Sequence, residues 1–213
     1  MKKLQLFLRF LGIALILSSV SMPLVAGVIT FHPESGLMAG NGCPDGSSRM
    51  YVDEYGDLVM EHDAMALTLP SYGQDSSLAG RQSCTIRVPI TLKRGFYVTS
   101  IEQQLTFSAT KSTKADAAIA TRTTIMESIS PLTAQLSRGT EYYGDMMITS
   151  RRDDLDTATQ ISQYCRHGRA EDLMLQVNLA ISGRRDSLSE NLIVQDMGSY
   201  IGEGIELEVA ACP

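Results

Sequence analysis

The sequence predicts an all-β fold: an antiparallel β-sandwich, or a barrel-like variant of one, stapled by disulfides and holding at most one short helix. Three observations predict it. Apolar and polar residues alternate with period two in several segments. Turn residues punctuate the chain at short intervals. Four cysteines follow an export-type leader. No segment has a helical period, so the strands must bury one face each against another sheet.

The leader comes first. Lys2, Lys3 and Arg9 precede an apolar run from Phe10 to Val20, and small residues follow around Val25-Ala26-Gly27. That is the layout of a secretory signal peptide. Residues 1–27 are therefore read as the leader, cleaved near Ala26 or Gly27, and residues 28–213 as one secreted domain. The apolar core falls short of the roughly 20 residues of a membrane span, and Pro23 interrupts its end. The first cysteine is Cys43, so no lipid anchor is expected at the cleavage site. No later stretch is apolar enough to span a bilayer.

The strands then follow in order of signal strength. Ile86, Val88, Ile90 and Leu92 alternate with Thr85, Arg87, Pro89 and Thr91. Leu173, Leu175, Val177, Leu179 and Ile181 alternate with Met174, Gln176, Asn178 and Ala180. Ile205, Leu207 and Val209 alternate with Glu206 and Glu208. Such alternation suits sheets with one wet face. Pro89 lacks a ladder donor, which places its strand at an edge or a bulge. Weaker strands are expected at Val28 to Phe31, Met50 to Val52, Leu58 to His62, Ala64 to Leu69, Phe96 to Phe107, Ile119 to Ile129, Tyr142 to Thr149 and Leu192 to Met197. Asp53 to Asp57 and Lys93 to Gly95 read as hairpin loops, and Ser182 to Ser187 as a turn joining two antiparallel strands. Arg151 to Tyr164 is the place for a short helix or an excursion loop, with Asp153, Asp154 and Asp156 suited to a first helical turn.

Cys43, Cys84, Cys165 and Cys212 form an even set in an exported chain, which reads as two disulfides. Four cysteines allow three connectivities. Cys43–Cys84 with Cys165–Cys212 is favoured because each bond then closes one half of the chain, stabilising it by about 3–4 kcal/mol in the chain-entropy account. Zinc is disfavoured: there is no Cys-x-x-Cys pair, and only His167 lies near a cysteine.

Gly40-Asn41-Gly42-Cys43-Pro44-Asp45-Gly46-Ser47 resembles the Gly-x-Gly-Cys-Pro-x-Gly-Ser opening of a family of small secreted four-cysteine β-rich proteins of fungi and bacteria, catalogued as a domain of unknown function. The resemblance continues in pieces at Cys84-Thr85-Ile86-Arg87-Val88, at Gly95-Phe96-Tyr97-Val98, at Cys165-Arg166-His167-Gly168 and at Cys212. Where family members often carry aromatics, near the third cysteine and before the last, this chain has Tyr164 and Val209-Ala210-Ala211. The resemblance implies export, a β-rich fold and two disulfides, and implies no activity. The motif itself reads as a structural corner: Gly42 and Gly46 permit tight turns, Pro44 fixes φ, and Ser47 bonds the local backbone.

Composition narrows the function. The 213-residue chain has a formal net charge of −6, and loss of the leader's three basic residues takes it to about −9. That balance argues against nucleic acid, which needs a basic footprint. Aromatics are scarce and Trp is absent, so stacking platforms are few. No Gly-x-Ser-x-Gly elbow and no phosphate loop occurs. Gly198 to Gly204 reads as a hairpin loop before a strand. Of His32, His62 and His167, His62 beside Asp63 and near Glu61 is the best acid–base or metal candidate, although strand neighbours face opposite ways. Asp153, Asp154 and Asp156 suit a hard cation but lack EF-hand spacing, and read as a solvated loop beside Arg151 and Arg152. Asp53, Glu54 and Asp57 read as a turn. Tyr142 and Tyr143 are expected to place at least one ring in a sheet. No catalytic residue, cofactor ligand or metal ligand is assigned.

The leading expectation is therefore a secreted or periplasmic non-enzymatic sandwich that binds an extracellular or envelope ligand: a polysaccharide, an envelope component or a host protein. The alternatives are a secreted hydrolase with a carboxylate-based site, and an inhibitor or toxin-like protein using an exposed loop such as Gly198 to Gly204 or Arg151 to Thr159.

Overall fold

The structure, a computed structural model, describes residues 27–69, 77–125, 128–166, 171–195 and 201–213. The expected leader lies outside them except for Gly27, as do His167 and Gly198 to Tyr200. Thirteen strands occur among the described residues: β1 Ile29–Phe31, β2 Leu37–Ala39, β3 Ser48–Val52, β4 Leu58–His62, β5 Leu67–Leu69, β6 Ala79–Leu92, β7 Phe96–Lys111, β8 Ala115–Ile125, β9 Ser128–Leu136, β10 Tyr142–Arg152, β11 Glu171–Arg185, β12 Leu192–Gln195 and β13 Ile201–Ala211. They form two antiparallel sheets, an all-β sandwich. The first runs β1-β6-β11-β8-β9, with β2 also on β6. The second runs β3-β4-β13-β7, with β10 on the far side of β7; β12 continues the β13 position along β7, and β5 pairs with β12.

The strongest alternations become the core. Ile86, Val88, Ile90 and Leu92 of β6 and Leu175, Val177, Leu179 and Ile181 of β11 are buried from the first sheet. Leu58, Met60, Val98, Ile101, Leu105, Ile201 and Ile205 are buried from the second. Polar bridges cross between the sheets. Gln103 on β7 donates to Ser130 O (3.0 Å) and Ser130 Oγ (2.6 Å) on β9, and accepts from Thr123 Oγ1 (2.6 Å) on β8.

Pro89 sits where its missing donor does least harm. β1 covers β6 at Ile90 to Leu92 and β2 covers it at Thr85 to Arg87, so Pro89 falls at the break between them. The Gly40–Ser47 corner covers the rest of that edge. Gly42 N donates to Ser83 O (3.0 Å), Asn41 Oδ1 accepts from Ser83 N (2.8 Å), and Cys43 is bonded to Cys84. Gly40 has a φ of +148°, and a Cβ there would lie 2.1 Å from Ser83 O, so no other residue fits. Ser47 donates to Pro44 O (2.7 Å).

Four expectations need correction. Ile119 to Ile129 is not one strand: β8 ends at Ile125 and β9 begins at Ser128. Ser182 to Ser187 is not a hairpin turn. β11 continues through Gly183 to Arg185, and the chain then crosses to β12 in the other sheet. The buried Arg185 guanidinium anchors that crossover by donating to the carbonyls of Ser77, Leu188 and Glu190. Ile201 to Gly204 belong to β13, not to a loop. Arg151 and Arg152 end β10; the one α-helix among the described residues, α1, is Thr157–Gln160, capped by Asp156 and continuing as a π turn over Ile161–Cys165. A second disulfide joins Cys165 to Cys212, and Gln160 accepts from Val98 N (3.1 Å), docking this excursion on β7.

Candidate functional site

Register places three rows of side chains across the outer face of the second sheet. One row reads Arg49, Glu61, Gly202, Thr106, Met147 from β3 to β10. The next reads Tyr51, Val59, Gly204, Gln104, Thr149. In the third, Glu206 lies opposite Glu102, and Glu102 opposite Arg151. The central strand β13 thus contributes two glycines side by side with side-chain-bearing neighbours. Gly202 is buried, so the result is a short trough at the half-buried Gly204, walled by Val59 on one side and Gln104 on the other. Its walls stand two strand spacings apart, roughly 10 Å.

Gly204 is unusual among the strand glycines because nothing inside the molecule requires it. A Cβ at Gly183 would lie 2.3 Å from Leu192 Cδ2, so packing forbids one. At Gly204 the nearest atom to an added Cβ is Gln104 Cβ at 3.8 Å, an ordinary contact. Its backbone is ordinary strand too. Glycine weakens a strand interior and characteristically marks close approach by a ligand or another backbone.

The polar groups around the trough are held in place. Glu61 is buried although it lies on the outer face; it accepts from Tyr51 Oη (3.0 Å) and pairs with Arg49. Tyr51 is 40% exposed as a residue. At the other end the charges are acidic. Arg151 pairs with Glu208 (2.6 Å), Asp153 (2.7 Å) and Glu102 (3.6 Å), and the bond from Arg151, followed by one from Ser100, holds the Glu208 carboxyl below its ordinary range. Asp57 is pushed the other way, by burial first and then by Glu206, Asp53 and Glu102.

The inner face of the same strand carries a different chemistry. Glu203 is only 1% exposed. Thr121 from the first sheet donates to its Oε1, while Oε2 has no partner. Burial pushes its carboxyl up to about 7, against the Thr121 bond. His62, one diagonal step away on β4, has Nδ1 3.0 Å from Ser48 Oγ and Nε2 unpartnered. Burial lowers it to about 4, with Asp63 opposing weakly. Both groups are buried between the sheets, while Ser48, which His62 meets, is half-buried.

The other sequence candidates are dispersed. Asp63 is exposed while His62 is buried, so the two do not act together. His32 bonds Thr91 and lies 3.4 Å from Glu34. Asp153 pairs with Arg151, Asp154 with Arg152, and Asp156 caps α1 through Thr159 N (3.0 Å). Among the described residues no group of three or more His, Cys, Asp or Glu side chains is arranged to hold a metal. Asp53 closes its turn by accepting from Tyr55 N and Asp57 N (2.9 Å each). Tyr142 packs against the core and Tyr143 stands exposed. The Arg151 to Thr159 segment is pinned by its ion pairs and by buried Leu155, so it does not project as a free loop. An open cleft of about 450 Å³ lies between Pro33–Met38 and Ser48–Met50 at the Cys43 corner; Ser48, one of its lining residues, has its Oγ 3.0 Å from His62 Nδ1. Sequence reasoning missed Gly202, Gly204, Tyr51, Gln104, Glu102 and Glu206 as a group. The available signal was the period-two phase of Ile205, Leu207 and Val209 carried back to Ile201, which puts both glycines on the face of Glu206.

No family model and no curated protein matches the chain. Solved structures match weakly. A carbohydrate-binding module, TmCBM61, in complex with β-1,4-galactotriose is 8% identical, with 83% of this chain and 91% of that one covered and a TM-score of 0.27. The enzymatically active domain of bacteriophage CBA120 tailspike protein 4 is 9% identical over 83% of this chain and 20% of that one, TM-score 0.25. The GH31 α-xylosidase of Xanthomonas citri is 10% identical over 84% and 19%, TM-score 0.15. Likenesses of this degree carry no argument about ligand or activity.

Proposed function

We propose that this chain is an exported, non-enzymatic binding domain that takes an extended ligand along β13 on the outer face of the second sheet. The observation that carries the reading is Gly204: a half-buried central-strand glycine where an added Cβ would meet nothing nearer than 3.8 Å, among polar groups fixed by Arg49, Tyr51 and Arg151. Preorganised groups lower the ordering cost of binding. Two disulfides support an oxidising compartment, and the Gly40–Ser47 corner supports a place among the small secreted four-cysteine proteins. No described helix is long and apolar enough to cross a membrane.

The test is an NMR titration of the oxidised protein with soluble polysaccharides and envelope fragments. Shifts are expected at Tyr51, Gln104 and Gly204, and are expected to vanish in Gly204→Leu. Shifts confined to the cleft between Pro33 and Met50 would refute this face as the site. One observation favours a hydrolase as a second reading: the raised carboxyl of Asp57 beside Glu206 and Glu102. It predicts ligand shortening, visible by mass spectrometry and abolished in Asp57→Asn; an intact ligand after long incubation rules it out.

A further inference from the structure

We propose that Ser48 is a nucleophilic serine that takes an apolar acyl group from an ester bound in the cleft at the Cys43 corner, with His62 as the base that removes its proton. The site lies at the β3 edge of the sandwich, away from the outer-face trough. It goes beyond the binding reading above and does not depend on it.

Register builds the pair. Ser48 on β3 is the direct cross-strand neighbour of His62 on β4, so the two side chains share the inner face. Ser48 Oγ lies 3.0 Å from His62 Nδ1, within the reach that a nucleophile and its base require. His62 is 1% exposed, and its Nε2 has no partner among the described residues. Burial keeps the imidazole neutral at neutral pH, and a neutral imidazole keeps one nitrogen as an acceptor. With the ring proton on Nε2, Nδ1 accepts from Ser48. Glu203 on β13 stands diagonal to His62 on the same inner face, and its Oε2 is also unpartnered. An orphan ring N–H and an orphan carboxyl oxygen thus sit on adjacent strands, a spacing that long side chains can span. Ser48, His62 and Glu203 follow one another across β3, β4 and β13 as nucleophile, base and orienting acid. Glu203 is the positioning residue of the three.

The cleft supplies the substrate. Ser48 is half-buried and lines an open space of about 450 Å³, a size that suits a small ligand. Pro33, Leu37, Met38 and Met50 line it with apolar surface, which favours an apolar acyl group over a charged one. The turn from Pro44 to Ser47 closes one side. Ser47 N is spent on Pro44 O (3.0 Å), while the Asp45 and Gly46 amides take no bond among the described residues and are available to a developing oxyanion.

The step balances without a cofactor. Ser48 Oγ attacks the ester carbonyl carbon, and its proton passes to His62 Nδ1 as the new C–O bond forms. The ester C–O bond then breaks, its electrons leave with the alkoxide, and Nδ1 returns the proton to it. The products are acyl-Ser48 and a free alcohol. Release of the acyl group needs a water on Nδ1, yet His62 is buried and meets the cleft only through Ser48. The acyl group stays, so the event is a covalent capture of one ligand per chain and not a turnover.

The test is to treat the oxidised protein with p-nitrophenyl butyrate at about pH 8, following p-nitrophenol release and mapping the acyl group by peptide mass spectrometry. One equivalent of p-nitrophenol is expected per chain, with the butyryl mass on Ser48. Ser48 is expected to react on the order of a hundredfold faster than the exposed Ser182. The charged p-nitrophenyl succinate is expected to react more slowly. Ser48→Ala is expected to abolish the burst, and His62→Gln to slow it about a hundredfold. The peptide map and Ser48→Ala decide the nucleophile whether or not His62→Gln folds. Glu203→Gln is expected to lower the limiting rate about tenfold or more with the half-saturating ester concentration unchanged; an unchanged rate overturns its role. Butyryl groups on lysines with Ser48 untouched overturn the proposal. An unslowed burst in folded His62→Gln overturns the base, and release continuing past one equivalent overturns the capture and makes the site an esterase.

Discussion

The two outer faces of the sandwich are built from the same kind of strand and reach opposite ends. On the first sheet, neighbouring polar side chains satisfy one another across the strands: Thr85 donates to Asn178 (3.0 Å), Arg87 to Gln176 (3.3 Å) and Thr91 to Asp172 (3.0 Å). Its shallowest row, Ser83, Ala180, Ala120 and Thr133, is uncharged and still has a Cβ at every position. On the second sheet the central strand is bare at Gly204, and Glu206 confronts Glu102. The first face is complete in itself. The second gives up strand propensity and tolerates repulsion, a loss of stability of the kind that functional surfaces carry.

The largest expected effect tests the inner surface of β13 against its outer one. Glu203 has a folded value of about 7, above its ordinary value of 4.5. The folded state therefore holds the proton more tightly, and stability from this group falls as pH rises from about 4.5 to 7, by on the order of 3 kcal/mol. His62 has the opposite sense: its folded value is about 4 against 6.5, so stability falls as pH drops through that window. The two slopes oppose each other, and the native chain should show a nearly flat stability between about pH 4.5 and 6.5. Glu203→Gln should be more stable above pH 7 and should unmask the His62 slope, losing stability as pH is lowered from 6.5 to 4. Urea unfolding across pH measures both; parallel profiles for the two proteins would refute the assignment.

On the first sheet, Asn178→Ala should cost about 1 kcal/mol by stripping Thr85 of its partner and leave ligand binding unchanged. On the second, Gly204→Val should have the reverse sign, stabilising the fold by about 0.5–1 kcal/mol while weakening binding. The smallest effect is Glu206→Gln, a gain of a few tenths of a kcal/mol as the repulsion from Glu102 is relieved. Denaturant midpoints measured beside affinity decide all three. A Gly204→Val protein that loses stability would mean that its space is used internally and that the contrast between the faces is false.

Much of the fold was legible because it is written locally. The runs from Ile86 to Leu92 and from Leu173 to Ile181 each declare a buried face without reference to anything distant. β9 was hidden because Pro131 interrupts it and its inner positions include Ser130 and Ala134, which are weak signals; β9 tolerates the proline as an edge strand paired only with β8. Gly202 and Gly204 were read as loop because glycine usually marks one, and Glu203 broke the apolar phase that places them in β13. The trough was not legible. It exists only through a register that aligns residues from Arg49 to Glu206, drawn from five strands, and no local pattern encodes which strand lies beside which.

That same register has a consequence for the order of events during assembly. β13 occupies the middle of the second sheet, between β4 and β7, yet follows both in the chain by a long interval. Leu58 waits for Ile205. Non-local pairings of this kind form slowly, and until β13 arrives, β4 and β7 present open edges that another molecule's strand can occupy. The chain thus has a vulnerable interval whose length is set by its last strand, and a nascent molecule kept apart from its neighbours until then has the better chance of closing its sheet with its own β13.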